Sequence, residues 1–336
     1  MDLSQIKTLL QQKGLIPAGD IECIPLRGGV SSEIYLLRGG AERLVVKRAL
    51  PCLKVRETWK ADTSRNRVEQ ASINYVGRLN PGVVPKILYS TPGEDFFVME
   101  YLGSEYRNWK VQLLEGHFDQ AVSARIAKIL ADIHSRSYGD ETARKWFDTP
   151  DNFHSLRIEP YLLTTAERNP HVRDLMLQEA ERLAKQRLCL VHGDFSPKNI
   201  MVGPERTVLL DHEVAWYGDP AFDLAFMLTH LHLKQFMLGP SFEGYPDLAR
   251  VFWHTYFENF IPGPGDLKER SLRLWLMVLL ARIDGKSPVE YLAENVNARQ
   301  FIRSFANKAL LEGHFTRDVL EEQWTLALKN YYQHEN

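Results

Sequence analysis

Cysteine is scarce. The 336 residues hold three, Cys23, Cys52 and Cys189, far apart in the chain, and no Cys-x-x-C pair occurs. The eleven histidines fall in no zinc-like spacing. A disulfide framework and a zinc ribbon are both excluded, and a reducing compartment is the simplest expectation. Net charge is also missing, since 41 Lys and Arg oppose 43 Asp and Glu for a formal balance of -2. A general nucleic-acid binder needs a basic excess against phosphates, so no nucleic-acid partner is expected. Long apolar runs are absent too. The longest, residues 274–281, is closed by Arg273 and Arg282, far short of the roughly 20 residues that span a bilayer. It reads as a buried core helix. Met1-Asp2-Leu3-Ser4 puts an acid where a signal peptide needs a base. The expectation is a cytoplasmic protein with no membrane association.

What is present is ample core material. Hydrophobic residues make up 44% of the chain, which excludes wholesale disorder and suits one large domain or two ordinary ones. The first hundred residues read mostly as strands. These cover residues 21–26, 33–38, 44–47, 87–89 and 96–99, with Gly39-Gly40 as a hairpin turn. A helix is predicted from about Asp62, Thr63 or Ser64 to Leu79, with Val68, Ala71, Tyr75 and Leu79 as its inner stripe. Residues 51–62 read as irregular. Beyond Glu100 the pattern is helical, over 121–135, 169–184, 218–234, 247–260, 267–283 and 289–312. Pro262-Gly263-Pro264-Gly265 breaks two of these helices apart. One β-rich island interrupts them at 188–191, 200–202 and 208–210. Residues 1–100 carry 14 basic and 11 acidic side chains, and 101–336 carry 27 and 32. The charge step thus coincides with the change of secondary structure. The division is a β-rich lobe over 1–100 and a helical lobe over 101–336.

The island carries the most specific text: Leu190-Val191-His192-Gly193-Asp194-Phe195-Ser196-Pro197-Lys198-Asn199-Ile200. A strand delivers an acid, a loop follows, and an asparagine stands five residues after the acid. A second apolar strand, Thr207-Val208-Leu209-Leu210, then delivers Asp211. Each residue alone would be an ordinary turn former. In this order, two strand ends are expected to bring Asp194, Asn199 and Asp211 together. Two carboxylates and an amide suit Mg²⁺ and phosphate chemistry, because a hard cation takes oxygen ligands and a hydroxyl nucleophile needs a carboxylate to orient it.

With these residues the chain resembles the aminoglycoside phosphotransferase and choline kinase family of small-molecule kinases. The resemblance runs over nearly the whole chain and is strongest at 188–226. It implies an α+β, bilobal protein-kinase-like fold and an ATP- and Mg²⁺-dependent phosphotransferase. By the resemblance Asp194 is the catalytic base, Asn199 and Asp211 are Mg²⁺ ligands, and His192 is structural. Gly28-Gly29-Val30-Ser31-Ser32 is the turn over the ATP phosphates. Lys47 is the strand lysine that holds them. Glu69 is its carboxylate partner, with Glu57 a rival in the irregular stretch. Met99, Glu100 and Leu102 belong to the segment that meets the adenine, with Val46 as a further apolar wall. Asp219 caps the next helix, and Asp223 ties that helix to the catalytic loop.

A protein kinase is excluded by length. Asp211 is followed by His212-Glu213 rather than Phe-Gly, and only seven residues separate it from Asp219. No activation segment fits there, which favours an enclosed pocket for a small hydroxylated substrate such as a sugar or thiosugar. Residues 49–59 and 65–69, Tyr106-Arg107 and Leu114-Glu115-Gly116 are similar to methylthioribose kinases, whose longer chains lack the counterpart of Asn199. Glu213, Arg157, Tyr161, Trp216 and Arg282 are candidates for the acceptor pocket, with packing as the alternative for each. The competing functions are an aminoglycoside antibiotic kinase and a catalytically silent nucleotide-binding protein. Oligomeric state is not legible.

Overall fold

The computed structural model of the protein describes residues 3–26, 32–50, 62–91 and 93–334. The chain forms two compact units, residues 1–106 with 203–213, and residues 107–202 with 214–336. Gly28, Gly29, Val30 and Ser31, together with Glu57 and Trp59, lie outside the described residues.

The first unit opens with a helix the sequence pattern did not announce, α1 (Leu3–Gln12). Its Ile6 and Leu10 stand one turn apart and are buried. Five strands follow, β1 (Glu22–Pro25), β2 (Ser32–Gly39), β3 (Glu42–Ala49), β4 (Ile87–Ser90) and β5 (Phe96–Glu100), with α2 (Arg65–Leu79) between β3 and β4. They build an antiparallel sheet in the order β1-β2-β3-β5-β4. The hairpin between β2 and β3 turns at Gly40, whose φ of +59° suits glycine. Strand periodicity sorts the central strand into two faces. Leu44 and Val46 join Leu37, Phe96 and Val98 in a core closed by Ile6 and Leu10. Each such side chain contributes roughly 1.5–3 kcal/mol on burial. Val45 and Lys47 therefore point to the other face.

On α2 the buried residues are Arg65, Asn66, Glu69, Ser72, Ile73, Tyr75 and Val76. The expected stripe through Val68 and Ala71 is rotated. The reason is that Arg65 and Glu69 go inside with ionic partners, which an apolar-periodicity argument scores as solvent-facing.

The second unit begins with β6 (Arg107–Asn108), α3 (Trp109–Leu114), α4 (Gln120–Ser137), α5 (Glu141–Trp146) and α6 (Pro150–Phe153). A ten-residue π-helix, His154–Leu163, follows with Pro160 inside it. Next come α7 (Thr164–Arg168), a 3₁₀ turn at Pro170–Val172 and α8 (Arg173–Lys185). The helix expected from residue 169 therefore starts at 173, because Pro170 first winds a tighter turn. β7 (Cys189–Val191) and β8 (Ile200–Val202) flank the motif loop. β9 (Thr207–Leu209) belongs to the first unit. β10 (Trp216–Gly218) pairs antiparallel with β7, and β6 pairs with β8.

The rest of the second unit is α9 (Ala221–Phe236), α10 (Leu248–Asn259), α11 (Leu267–Asp284), α12 (Val296–Glu312) and α13 (Arg317–His334). α12 starts later than the expected 289, because Glu290–Leu292 forms a separate 3₁₀ turn and Asn295 caps the helix through Ala298 N. Residues 274–281 are all buried in α11, which packs against α9 and α12. The apolar run is thus a core helix. Among the described residues no helix is long and apolar enough to cross a membrane.

Candidate active site

Lys47 lies in β3 opposite Phe97 of β5, on the face toward α2. A lysine at the centre of a sheet must find anions or forfeit its charge. Its ammonium sits 2.7 Å from Glu69 Oε1 and 2.6 Å from Asp211 Oδ1. Burial works against the charge, but Asp211 and Glu69 outweigh it and raise the Lys47 pKa above its ordinary value. Glu213 pairs with the fully buried Arg65 at 3.0 Å, and Arg65 also donates to Asp62 O at 2.9 Å. The carboxylate oxygens of Glu69, Asp211 and Glu213 all lie within 4.8 Å of one another. Three acids therefore share two cations. Burial pushes the Glu69 carboxyl up to about 7, with Lys47 pulling it down and Asp211 and Glu213 adding to the rise.

Asp211 has φ +65°, a left-handed conformation that no other non-glycine residue adopts among the described residues. Such a backbone costs on the order of 1–2 kcal/mol outside glycine, although Asp tolerates it better than most. His212 is held behind it. Its Nδ1 lies 3.0 Å from Ser72 Oγ, and its Nε2 lies 3.4 Å from Leu209 O. A carbonyl can only accept, so the second contact places the ring proton on Nε2.

In the second unit the loop after β7 hangs on Asp223 of α9. Asp223 Oδ2 accepts from His192 N at 2.7 Å, and Oδ1 accepts from Gly193 N at 2.9 Å. Its Oδ2 also lies 3.2 Å from His134 Nε2, whose ring is steadied by the Tyr256 hydroxyl at 2.9 Å. Gly193 turns with φ +76°, and a Cβ there would stand 2.6 Å from Val214 O. Only glycine fits that turn. The His192 imidazole Nδ1 accepts from Asp194 N at 3.2 Å, a loop-ordering contact.

Asp194 is buried and takes two cations on one oxygen, Lys198 Nζ at 3.0 Å and Arg157 Nη2 at 3.3 Å. Burial opposes its charge, yet Lys198 and Arg157 prevail and hold the carboxyl well below the usual carboxylate range. Asn199 Nδ2 donates to Asp194 O at 2.9 Å. With the amide nitrogen spent there, the amide oxygen is the end that can ligate a cation. Asn108 Nδ2 donates to Lys198 O at 2.6 Å and braces the same loop.

The structure thus brings together Lys47, Glu69 and Asp211, and separately Asp194 and Asn199. Ser32 opens β2 and is buried. Met99 faces Val45 and Ile87 across the sheet. Glu100 accepts from Lys86 N and from Arg206 Nη2, each at 2.9 Å, and its own N–H donates to Lys86 O. Leu102, just beyond β5, is half-buried. Asp219 caps α9 through Ala221 N at 3.0 Å and also pairs with Arg182 and Arg270.

Trp216 packs in the core. It is buried in β10, stacked on Phe153 at 4.1 Å and covered by Arg187. Sequence reasoning did not assign Lys198 a role, although it stands inside the motif. It also had no means of pairing Arg157 with Asp194, because a π-helix distant in sequence delivers that arginine.

The sheet-then-helices architecture and this polar machinery define a small-molecule kinase with a protein-kinase-like fold. A model of the phosphotransferase enzyme family matches residues 22–251, more than half of the chain, and the protein belongs to that family. The methylthioribose kinase of Exiguobacterium sibiricum is 25% identical over 77% of this chain and 72% of that protein. The methylthioribose kinase of Pectobacterium atrosepticum is 26% identical over 69% and 67%. Among solved structures, a choline/ethanolamine kinase family protein from Mesorhizobium loti superposes with a TM-score of 0.54 at 15% identity, covering 98% of this chain and 100% of that one. A spectinomycin phosphotransferase gives 0.54 at 14% identity, covering 98% and 99%. Likeness at that level speaks for the fold alone.

Proposed function

We propose that the protein transfers the γ-phosphoryl group of ATP, with Mg²⁺, to a hydroxyl of a small metabolite such as a sugar or thiosugar. The observation that carries this reading is the buried Lys47 ammonium shared between Glu69 and Asp211. A cation held so firmly at a sheet face is suited to aligning anionic phosphates. Ser32, and with it Gly28, Gly29 and Ser31, would contact those phosphates, and the backbone from Met99 through Glu100 to Leu102 would receive the adenine.

Asp211 and Asn199 would hold Mg²⁺. Both offer hard oxygen, and the acid cluster around Asp211 carries one more negative than positive charge, which suits a divalent cation. Bound Mg²⁺ supplies neutralisation of the negative charge on the phosphoryl oxygens. Asp194 orients the acceptor hydroxyl. Its depressed pKa makes it a weak base in the ground state, so it takes the proton late, as bond formation acidifies the hydroxyl. Catalysis is then mostly positioning and electrostatics. The methylthioribose kinase relatives support a sugar-like acceptor.

Asp194→Ala is expected to abolish turnover while leaving ATP binding within a few-fold of normal. Near-normal turnover would remove Asp194 from the reaction. Asp211→Ala is expected to weaken Mg²⁺–nucleotide binding, and unchanged affinity in a titration would count against its metal role.

A further inference from the structure

α9 holds the catalytic loop through Asp223 in its first turn and carries bases further along. Phe226, His230 and Lys234 recur every fourth residue along it. Arg157, which pairs with Asp194, lies over the rings of Phe226 at 5.7 Å and Tyr161 at 5.5 Å. Phe226 and His230 pack with ring centroids 5.2 Å apart. Arg282, in the last turn of α11, donates to the Tyr161 hydroxyl at 3.1 Å and to the backbone and hydroxyl oxygens of Ser287. Lys234 Nζ donates to Tyr291 O–H at 2.7 Å and lies 3.9 Å over that ring.

These groups differ from the other buried cations of the unit, such as Arg182 and Arg270, which sit on Asp219. Among the described residues Arg282 and Lys234 have no carboxylate partner, Arg282 Nε is buried without an acceptor, and His230 Nε2 is buried with no hydrogen bond. Nearby acids are already engaged. Glu290 pairs with Lys110, and Asp194 holds Arg157 and Lys198. Asp223 is spent on His192 N, Gly193 N and His134, so Lys110, Arg157, Lys198, Lys234 and Arg282 stand against three carboxylates. Burial, Lys110 and Arg282 bring Lys234 down to about 7 against the pull of Glu290. Burial, Arg282 and Lys234 push His230 well below its ordinary value. Buried cations without counter-charges cost the fold, and so does a buried imidazole edge without a partner.

We infer that the acceptor carries an anionic group, a carboxylate or a phosphate, and that Arg282, Lys234 and His230 receive it while its hydroxyl lies at Asp194. The inference deepens the kinase reading and rests on it for the position of the hydroxyl. Along α9, one to two turns separate Phe226, beside Arg157, from His230 and Lys234. The two ends of the acceptor are therefore about 6–12 Å apart, the span of a five- or six-carbon sugar derivative. A polycationic antibiotic or a quaternary amine would meet repulsion here.

Titration calorimetry with ribose, ribonate, ribose 5-phosphate and choline tests this in the full chain. Ribonate or ribose 5-phosphate is expected to bind at least about tenfold more tightly than ribose, as charge-assisted hydrogen bonds give. Whichever of the two binds more tightly identifies the anion. Arg282→Gln and, independently, Lys234→Met should each shrink the preference over ribose by about tenfold. A preference for ribose or choline, equal binding of all four, no binding of the anionic pair, or a preference untouched in both folded variants overturns the inference. The same titration on Asp194→Asn separates the two readings. Anion preference that survives there alongside full turnover would sink the role of Asp194 and leave the anion subsite standing. Lost turnover without any anion preference would do the reverse.

Discussion

Glu69→Gln isolates one charge in the Lys47 cluster at almost no change in volume. The lost attraction is the pair with Lys47 at 2.7 Å, about 6 kcal/mol at an effective dielectric constant near 20. The relieved repulsions are those with Asp211 and Glu213. Oxygen atoms of all three acids lie within 4.8 Å of each other, so each repulsion is at least about 3.5 kcal/mol on the same scale. Two of them match or exceed the attraction. Lys47 also keeps Asp211 at 2.6 Å, so no bare ammonium is left behind. Stability should therefore change little at pH 8, by less than about 2 kcal/mol, where breaking an ordinary buried pair costs about 3–5 kcal/mol.

Activity should behave differently. Lys47 loses the partner that holds it in position and falls back on Asp211, and kcat/KM should drop about a hundredfold or more. The pH dependence gives an internal check. The folded Glu69 pKa of about 7 lies above its ordinary value of 4.5. A carboxyl raised on folding stabilises the protein below the unfolded pKa, and that contribution is lost as pH rises through the folded one. Wild type should thus lose stability relative to Glu69→Gln between about pH 4.5 and 7, by about 3 kcal/mol. Thermal unfolding of both proteins across that range, with steady-state ATP consumption, measures both quantities. A variant several kcal/mol less stable at pH 8, or a stability gap that moves toward wild type as pH rises, would refute the charge accounting. Unchanged kcat/KM would refute the positioning role of Glu69.

Two further outcomes follow from the loop after β7. Asp223→Ala strips the acceptors from His192 N and Gly193 N and leaves His134 Nε2 without its carboxylate. At about 1–3 kcal/mol for each orphaned buried donor, denaturant unfolding should show a loss of about 3 kcal/mol or more, and a loss under 1 kcal/mol would contradict it. Gly193→Ala places a Cβ 2.6 Å from Val214 O at φ +76°. Turnover should collapse, or soluble yield should fall, while Gly139→Ala, with φ +70° and open space around it, should cost no more than about 1–2 kcal/mol. Equal effects at the two sites would remove the steric argument.

Much of the site is legible because its text is local. His192-Gly193-Asp194 and Asn199 are spaced by one loop, and Asp211 follows the next strand. Lys47 taken alone reads as a solvated edge charge, and only the family resemblance singled it out. Less legible were the supports. Arg65 and Glu69 face inward on α2, so hydrophobic periodicity placed the buried stripe on Val68 and Ala71 instead. α1 escaped notice because it is short, with only Ile6 and Leu10 fully buried and Leu9 beside them. Trp216, read as a pocket candidate, is a packing residue, because aromatic composition does not say what a ring is stacked against.

The sequence by itself determined the succession of a β-rich part and a helical part, the acid–amide–acid motif, and the absence of room for an activation segment. Each is a matter of spacing along the chain and of which side chains can hold metal or phosphate. Only tertiary structure decided which charges neutralise which. It shared Lys47 between Glu69 and Asp211, set Arg157 and Lys198 on Asp194, and gave Arg282, Lys234 and His230 no ion pair among the described residues. Coulomb interactions depend on distance through space, and near-neutral totals over 336 residues say nothing of where an excess collects.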